Sequence, residues 1–451
     1  MRFFYFLFIL CFCGCENATS ISSYYPDSGI SSSFEGKLSW VKTFGGTNED
    51  VAHALIETSD GGFAVFGNTK SINGDITDKA LEESDLWLLK FNSEGELDWN
   101  KTYGGSGDDR GHSLIQMDDN GFMLLGYSQS ADGLGTNNEG QHDNWIIRIN
   151  EQGNFMWERS FGYAGHDHAY NIIKTSDGGA LFNGFLDVTA SNGAGNSISE
   201  RSSRHGVGEF WCHKINAQGV VEWRNYYGGT SNDRSYDAIE LVNGNFVLVG
   251  TTESSDVDVS ESQGSYDVWV VMINSLGNIL WEKTLGGSEI DGANAVLQDG
   301  EGNIVVFGNS FSPDGNISYP KGSSDFWIIT LNTSGELLSE HSFGGSSFDL
   351  GRGLAIGSND DLWLAGYSRS NDGDVSMNQG DNDMLVLRLS PDKTVLNSFV
   401  DPNSIIICTI SGTNGIPRTI TSCVAGVGQF IVTINGDPVT DQFDINFLVI
   451  N

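Results

Sequence analysis

The chain has 451 residues, 39% of them hydrophobic, enough for one large core and a small appendix. Its formal net charge of -36 repels phosphate backbones and anionic lipid surfaces, which excludes nucleic acid as a partner. The acids are spread through loops rather than gathered in a tail, the pattern of a solvated surface, with cation binding as the rival reading.

At the N-terminus Arg2 precedes an apolar run from Phe3 to Phe12, far too short to span a bilayer as a helix. Cys13, Gly14 and Cys15 follow, then Glu16 and Asn17. This segment resembles a bacterial lipoprotein signal, in which a small residue precedes the cysteine that is lipidated and becomes the mature N-terminus. The resemblance implies a signal over residues 1–15 and lipidation at Cys15. Phe12 departs from the aliphatic residue usual three places before that cysteine, and ordinary signal-peptide cleavage is the rival. An acid just after the cysteine resembles the surface-export signal of Bacteroidetes lipoproteins. It implies an outer-membrane lipoprotein exposed at the cell surface, held to the membrane by its lipid anchor only. Residues 16–35 are rich in Ser and read as a flexible tether.

From residue 36 to 399 the sequence repeats. A closing glycine recurs at Gly45, Gly104, Gly162, Gly228, Gly286 and Gly344, spacings of 59, 58, 66, 58 and 58. An anchor follows in step as Trp87, Trp145, Trp211, Trp269, Trp327 and Leu385, each with an acid two residues earlier. A second tryptophan series, Trp40, Trp99, Trp157, Trp223 and Trp281, breaks at Ser339. Each unit holds four short aromatic and β-branched runs bounded by Gly, Asn and Asp, such as His112–Gln116, Phe122–Ser128, Trp145–Asn150 and Asn154–Phe161. No stretch offers a sustained helical period. Four antiparallel strands repeated six times predict an all-β fold, a six-bladed β-propeller of four-stranded blades.

Ring closure is legible too. Lys37–Gly46 is a fourth strand without its first three, and Asp349–Ser390 supplies three strands whose own fourth, near Thr394–Phe399, is degenerate. Pairing the N-terminal strand with the last blade would remove two exposed edges; a seventh blade drawn from the tail is the alternative. Residues 400–451 alternate apolar and polar side chains as strands do, and read as a small all-β C-terminal segment. Within it Cys408 and Cys423 could pair as a disulfide in an oxidising compartment, whereas Cys212 follows a blade tryptophan as a small core residue.

Strand direction fixes the faces. Tight turns between strands one and two and between three and four share one face; the long two-to-three loops, the Gly-Gly crossovers and the eight-residue excess of the third unit share the other. Binding surfaces gather on such a loop-rich rim. The crossover acids Asp50, Asp109, Asp167, Asp233, Asp291 and Asp349 recur in every unit, which points to a structural task, accepting backbone N–H bonds. Three residues further on the pattern loosens into His53, His112, Tyr170, Tyr236, Asn294 and Arg352. These start the strand expected to be innermost, so they form a candidate ring at the channel mouth, with side chains suited to stacking and hydrogen bonding. The bland alternative is that they satisfy one another.

Loops such as Ser71–Asp75, Ser312–Asn316 and Ser370–Asp374 carry Asn, Asp and Gly but lack the spacing of an EF-hand, and turn chemistry accounts for them as well as calcium does. His166, His168 and His205 form an incomplete ligand set, so no metal and no cofactor is expected, calcium remaining the one open ion. No nucleophile with a base partner and no distinct carboxylate pair stands out.

The unit Y-G-G-S-x-x-D, D-x-G-F-x-L-x-G-Y-S, D-x-W-x-x-x-x-N, G-N-x-x-W resembles a family of exported bacterial β-propeller repeat proteins common in Bacteroidetes. It covers about Leu38 to Leu389. The resemblance implies surface placement and no activity, the family being largely uncharacterised. The reading is a surface-anchored binding or scaffold module recognising glycan or protein through its long-loop face. The alternative is an extracellular glycoside hydrolase or lyase with an unidentified carboxylate pair. Nothing in the sequence sets an oligomeric state.

Overall fold

The computed structural model describes residues 42–389, apart from 136–137, 198–204, 358–360, 376–377 and 379, together with the backbone of five C-terminal strands. The chain divides into a compact unit, Lys42–Leu389, and a second composed of residues 1–41 and 390–451.

Lys42–Leu389 is the expected propeller. Blade one comprises Asp50–Glu57, Phe63–Thr69, Asp85–Phe91 and Leu97–Tyr103, each strand pairing antiparallel with the next. Four further four-stranded meanders and the three described strands of blade six, Asp349–Ile356, Leu362–Ser368 and Asp383–Leu389, complete the six. The first strands of successive blades touch one another and line the centre.

Of the expected closing strand, Lys37–Gly46, residues 37–41 lie outside the described residues, and Lys42–Gly46 has no strand pairing. Lys42 and Phe44, however, already engage blade one. Lys42 Nζ donates to Gly95 O at 2.9 Å, as Lys101 Nζ in blade one donates to Gln152 O at 3.0 Å in the corresponding turn of blade two. Thr394–Leu396 is not a fourth strand of blade six: it pairs with Gln429–Ile434, which pairs in turn with Ile420–Gly426. Ile405–Ser411 pairs with Asp444–Ile450. The five described tail strands thus pair with one another. Cys408 and Cys423 sit on the strands Ile405–Ser411 and Ile420–Gly426, with side chains outside the described residues. The signal, Cys15 and the tether also lie outside them.

Third strands of blades one to five are buried on both faces, so they read as unbroken apolar runs rather than alternating ones, as in Trp145, Ile146 and Ile147; in blade six, Asp383–Leu389 alternates between half-buried and exposed. The second tryptophan series holds neighbouring blades together. Trp99 lies on Gly153 of the next blade, Trp157 on Gly219, Trp223 on Gly277 and Trp281 on Gly335. Each of these glycines has φ between +72° and +81°, and a Cβ there would strike the ring. That explains why the turn glycine and the tryptophan recur together in G-N-x-x-W.

On the opposite face the crossovers and long loops interlock. Asp109 Oδ2 accepts Gly105 N at 2.9 Å and Ser130 Oγ at 2.7 Å, while Oδ1 accepts Ser128 Oγ at 2.5 Å. Asp291 and Asp349 repeat the set. The acids that tempted a calcium reading are engaged in the same work: Asp75 accepts Gly45 N, Asp314 accepts Ser288 N, and Asp372 accepts Ser346 N. Crossover aspartates are therefore structural, as their recurrence implied.

Candidate functional site

In every blade the residue three beyond the crossover acid is the extra residue of a β-bulge. Pairing with the second strand skips His53 between Ala52 and Ala54, and skips His112, Tyr236, Asn294 and Arg352 at the matching places. Tyr170 is skipped between Ala169 and Asn171. A bulge leaves its extra residue outside the ladder and re-aims the side chain. The facing residue in the second strand is always glycine, Gly67, Gly126, Gly184, Gly250, Gly308 and Gly366. Its absent Cβ would fall 1.8–2.1 Å from a first-strand carbonyl oxygen.

Four of the six form an unbroken run. Ring centroids stand 5.6 Å apart for His53–His112, 6.0 Å for His112–Tyr170 and 5.2 Å for Tyr170–Tyr236. The other two are turned to local partners. Asn294 Nδ2 donates to Gly351 O at 2.8 Å, and Arg352 lies over Tyr367 at 5.8 Å. His112 Nε2 is buried with no hydrogen-bond partner among the described residues. Burial, then the neighbouring His53, holds its pKa down to about 4, so it is a neutral ring at physiological pH. Beside Tyr236, Asp237 ties three inner strands together: it accepts Asn171 Nδ2 at 2.5 Å, Ala238 N at 2.8 Å and Val296 N at 2.9 Å.

The run continues outward into residues that the repeat pattern did not single out. Tyr127 lies 5.5 Å from His112 and stacks on His142 at 4.5 Å and on His168 at 4.7 Å. His142, His166 and His168 converge, each offering a ring nitrogen within 4.8 Å of the others. His205, the third histidine weighed from the sequence, is elsewhere: its Nδ1 stands 3.2 Å from Glu209 Oε2, with both side chains fully buried.

A signal for His142 did exist. The residue before each third-strand acid bridges the residue before the next crossover acid, as in Gly208–Asn232, Tyr266–Ile290 and Ser324–Phe348. At the seam of blades two and three both places are histidine, His142 and His166.

The third-blade excess also has a partner. Trp145, Trp269 and Trp327 donate Nε1 to a glutamate thirteen residues on, at 2.8–2.9 Å. In blade three that place is Arg224, a donor, and Trp211 Nε1 turns instead to Gly195 O of the insertion at 2.9 Å.

No family model and no curated protein matches the chain. Solved structures resemble it at low similarity. A protein of unknown function from Bacteroides caccae has 12% identity and a TM-score of 0.37, over 66% of this chain and 85% of that one. A putative gluconolactonase has 10% identity and a TM-score of 0.34, over 77% and 92%. The WD40 domain of Neurospora crassa Pan2 has 8% identity and a TM-score of 0.38, over 69% and 85%. The architecture here rests on the blade topology itself.

Proposed function

We propose that the chain is an exported, lipid-anchored surface protein whose propeller binds glycan at the channel mouth. One observation carries this reading: the run His53–His112–Tyr170–Tyr236, rings with polar handles set on bulges where they serve no strand pairing. Such rings stack on sugar faces while their heteroatoms meet hydroxyls. The unpartnered His112 Nε2 offers an acceptor for a ligand hydroxyl. Asp237, the off-consensus acid nearby, is occupied in holding strands, which favours a binding module over a glycoside hydrolase.

A glycan array probed with the chain from Glu16 onward tests the site. A selective hit is expected, and Tyr170→Ala with Tyr236→Ala should weaken it at least roughly tenfold, the loss of about 1.4 kcal/mol or more, with the melting temperature little changed. Binding retained in the double variant defeats the assignment of the ring. A silent array with a surface protein captured through the same residues would replace glycan by a protein partner.

Anchoring has its own test. Metabolic palmitate labelling should be present in the full chain and absent in Cys15→Ala. Labelling that survives the substitution removes Cys15 from the reading.

A further inference from the structure

We propose that His142, His166 and His168 form a binding site for a late first-row divalent ion, zinc foremost, at the seam of blades two and three. Three facts support it independently of the glycan reading. The first is distance. His142 Nδ1 stands 2.9 Å from His168 Nε2 and 3.4 Å from His166 Nδ1. Two nitrogens bound to one tetrahedral zinc ion at 2.0–2.1 Å stand about 3.4 Å apart. These two contacts need only tenths of an ångström of adjustment, and the remaining pair, His166 and His168, lies within 4.8 Å and has at most about 1.4 Å to close.

The second is support from around the rings. His142 and His166 are tied through their backbones by a parallel bridge, and Tyr127 stacks on both His142 and His168. The Gln129 amide contacts His142 Nε2, on the side of the ring away from the cluster. The atom at that contact is the amide nitrogen, a donor; with the amide turned over, Gln129 Oε1 would accept the N–H that a metal-bound imidazole keeps, the outer partner that fixes a ligand's tautomer.

The third is departure from the repeat. The residues recurring in every blade are occupied by the fold, whereas the bridge position carries Gly, Asn, Tyr, Ile, Ser or Phe at other seams and a histidine pair here. Nothing in the ladder demands imidazole at either place. Three imidazoles and no carboxylate select zinc, nickel, copper or cobalt over calcium and magnesium. They leave a fourth coordination position for water or a ligand oxygen. His166 is exposed, so an ion would reach the site from the long-loop face.

The test uses the full mature chain without a polyhistidine tag, stripped with EDTA and dialysed. Zinc titration by calorimetry should show one saturable site, and cobalt(II) should give the intense visible bands of a four-coordinate nitrogen site. Zinc should raise the melting temperature and EDTA should reverse it, with calcium and magnesium inert at the same concentration. His166→Ala, at an exposed residue, should fold with the parent's melting temperature in EDTA yet lose the cobalt spectrum. Gln129→Ala should weaken zinc by roughly 10- to 100-fold. His341→Ala, on blade five, should change nothing. Absence of a one-to-one site, or binding untouched by His166→Ala, overturns the proposal.

Discussion

Gly250→Ala should destabilise the propeller by roughly 3 kcal/mol or more, at or beyond the upper end for overpacking a well-packed site. The added Cβ falls 1.9 Å from Arg234 O and 2.9 Å from Ser235 Cα, both backbone atoms that cannot rotate aside. Relief requires moving the bulge that carries Tyr236, so the substitution strikes the fold and the candidate site together. Gly353→Ala is the control. It is also on a first strand, without a positive φ, and nothing lies within 4 Å of its Cβ position. That change should be neutral or favourable by up to about 1 kcal/mol through the unfolded chain. Urea unfolding of the two variants beside the parent decides the matter. Equal midpoints for Gly250→Ala and Gly353→Ala would refute the role given to the glycine row.

Stability should also fall as pH rises from 6.5 to about 8.5. At each seam the acid two before the anchor tryptophan faces the crossover acid across the closing glycine. At Gly228 a Cβ would lie 1.9 Å from Glu209 Oε2 and 2.4 Å from Asp233 Oδ2. Burial first, and the facing Asp233 second, push Glu209 up to about 11, so this side chain keeps its proton in the folded state. Burial likewise raises Asp237 to about 7. In the unfolded chain these groups ionise near 4.5 and 3.8. The stability they lend is thus fully present below those values and is lost as pH rises through the folded ones. Buried histidines act in the opposite sense, but only below 6.5: His112 and His213 are neutral when folded and gain protons when unfolded.

Above that value the carboxyls dominate, Glu209 alone contributing about 1.4 kcal/mol per pH unit. Repulsion within a chain of net charge -36 acts in the same direction. Melting curves at constant ionic strength should therefore shift down across the window. Glu209→Gln, which keeps an oxygen for Gly206 N and removes the proton, should flatten the slope. A parent curve that is level or rises toward about pH 8.5 contradicts the protonated seam.

Much of the fold was legible because its signals lie between chain neighbours. A 58-residue period, turn glycines and third-strand tryptophans announce six meanders, and strand alternation sorts the loops onto two faces. Even the ring could be located, since a fixed offset from the crossover acid is a local quantity. The bulge was not legible. One extra residue in a ladder depends on the strand opposite, and the glycine of L-G-Y-S reads as an ordinary strand residue until Arg110 O is placed beside Gly126.

The histidine cluster shows the same division. His166 and His168 stood out as neighbours in sequence, and His205 was weighed beside them because it lies in the same unit. The chain contact actually joins His142 to His166, 24 residues apart and in different blades. Likewise the recurrence of Glu209 and Asp233 marked them as structural without revealing that they share a seam. By itself the sequence determined the repeating four-stranded unit, the face that carries the long loops and the composition of the ring. Only the tertiary structure decided which groups meet between blades. Those contacts arise from the stacking of separate sheets, whose spacing and register are set by packing rather than by any chain-local pattern.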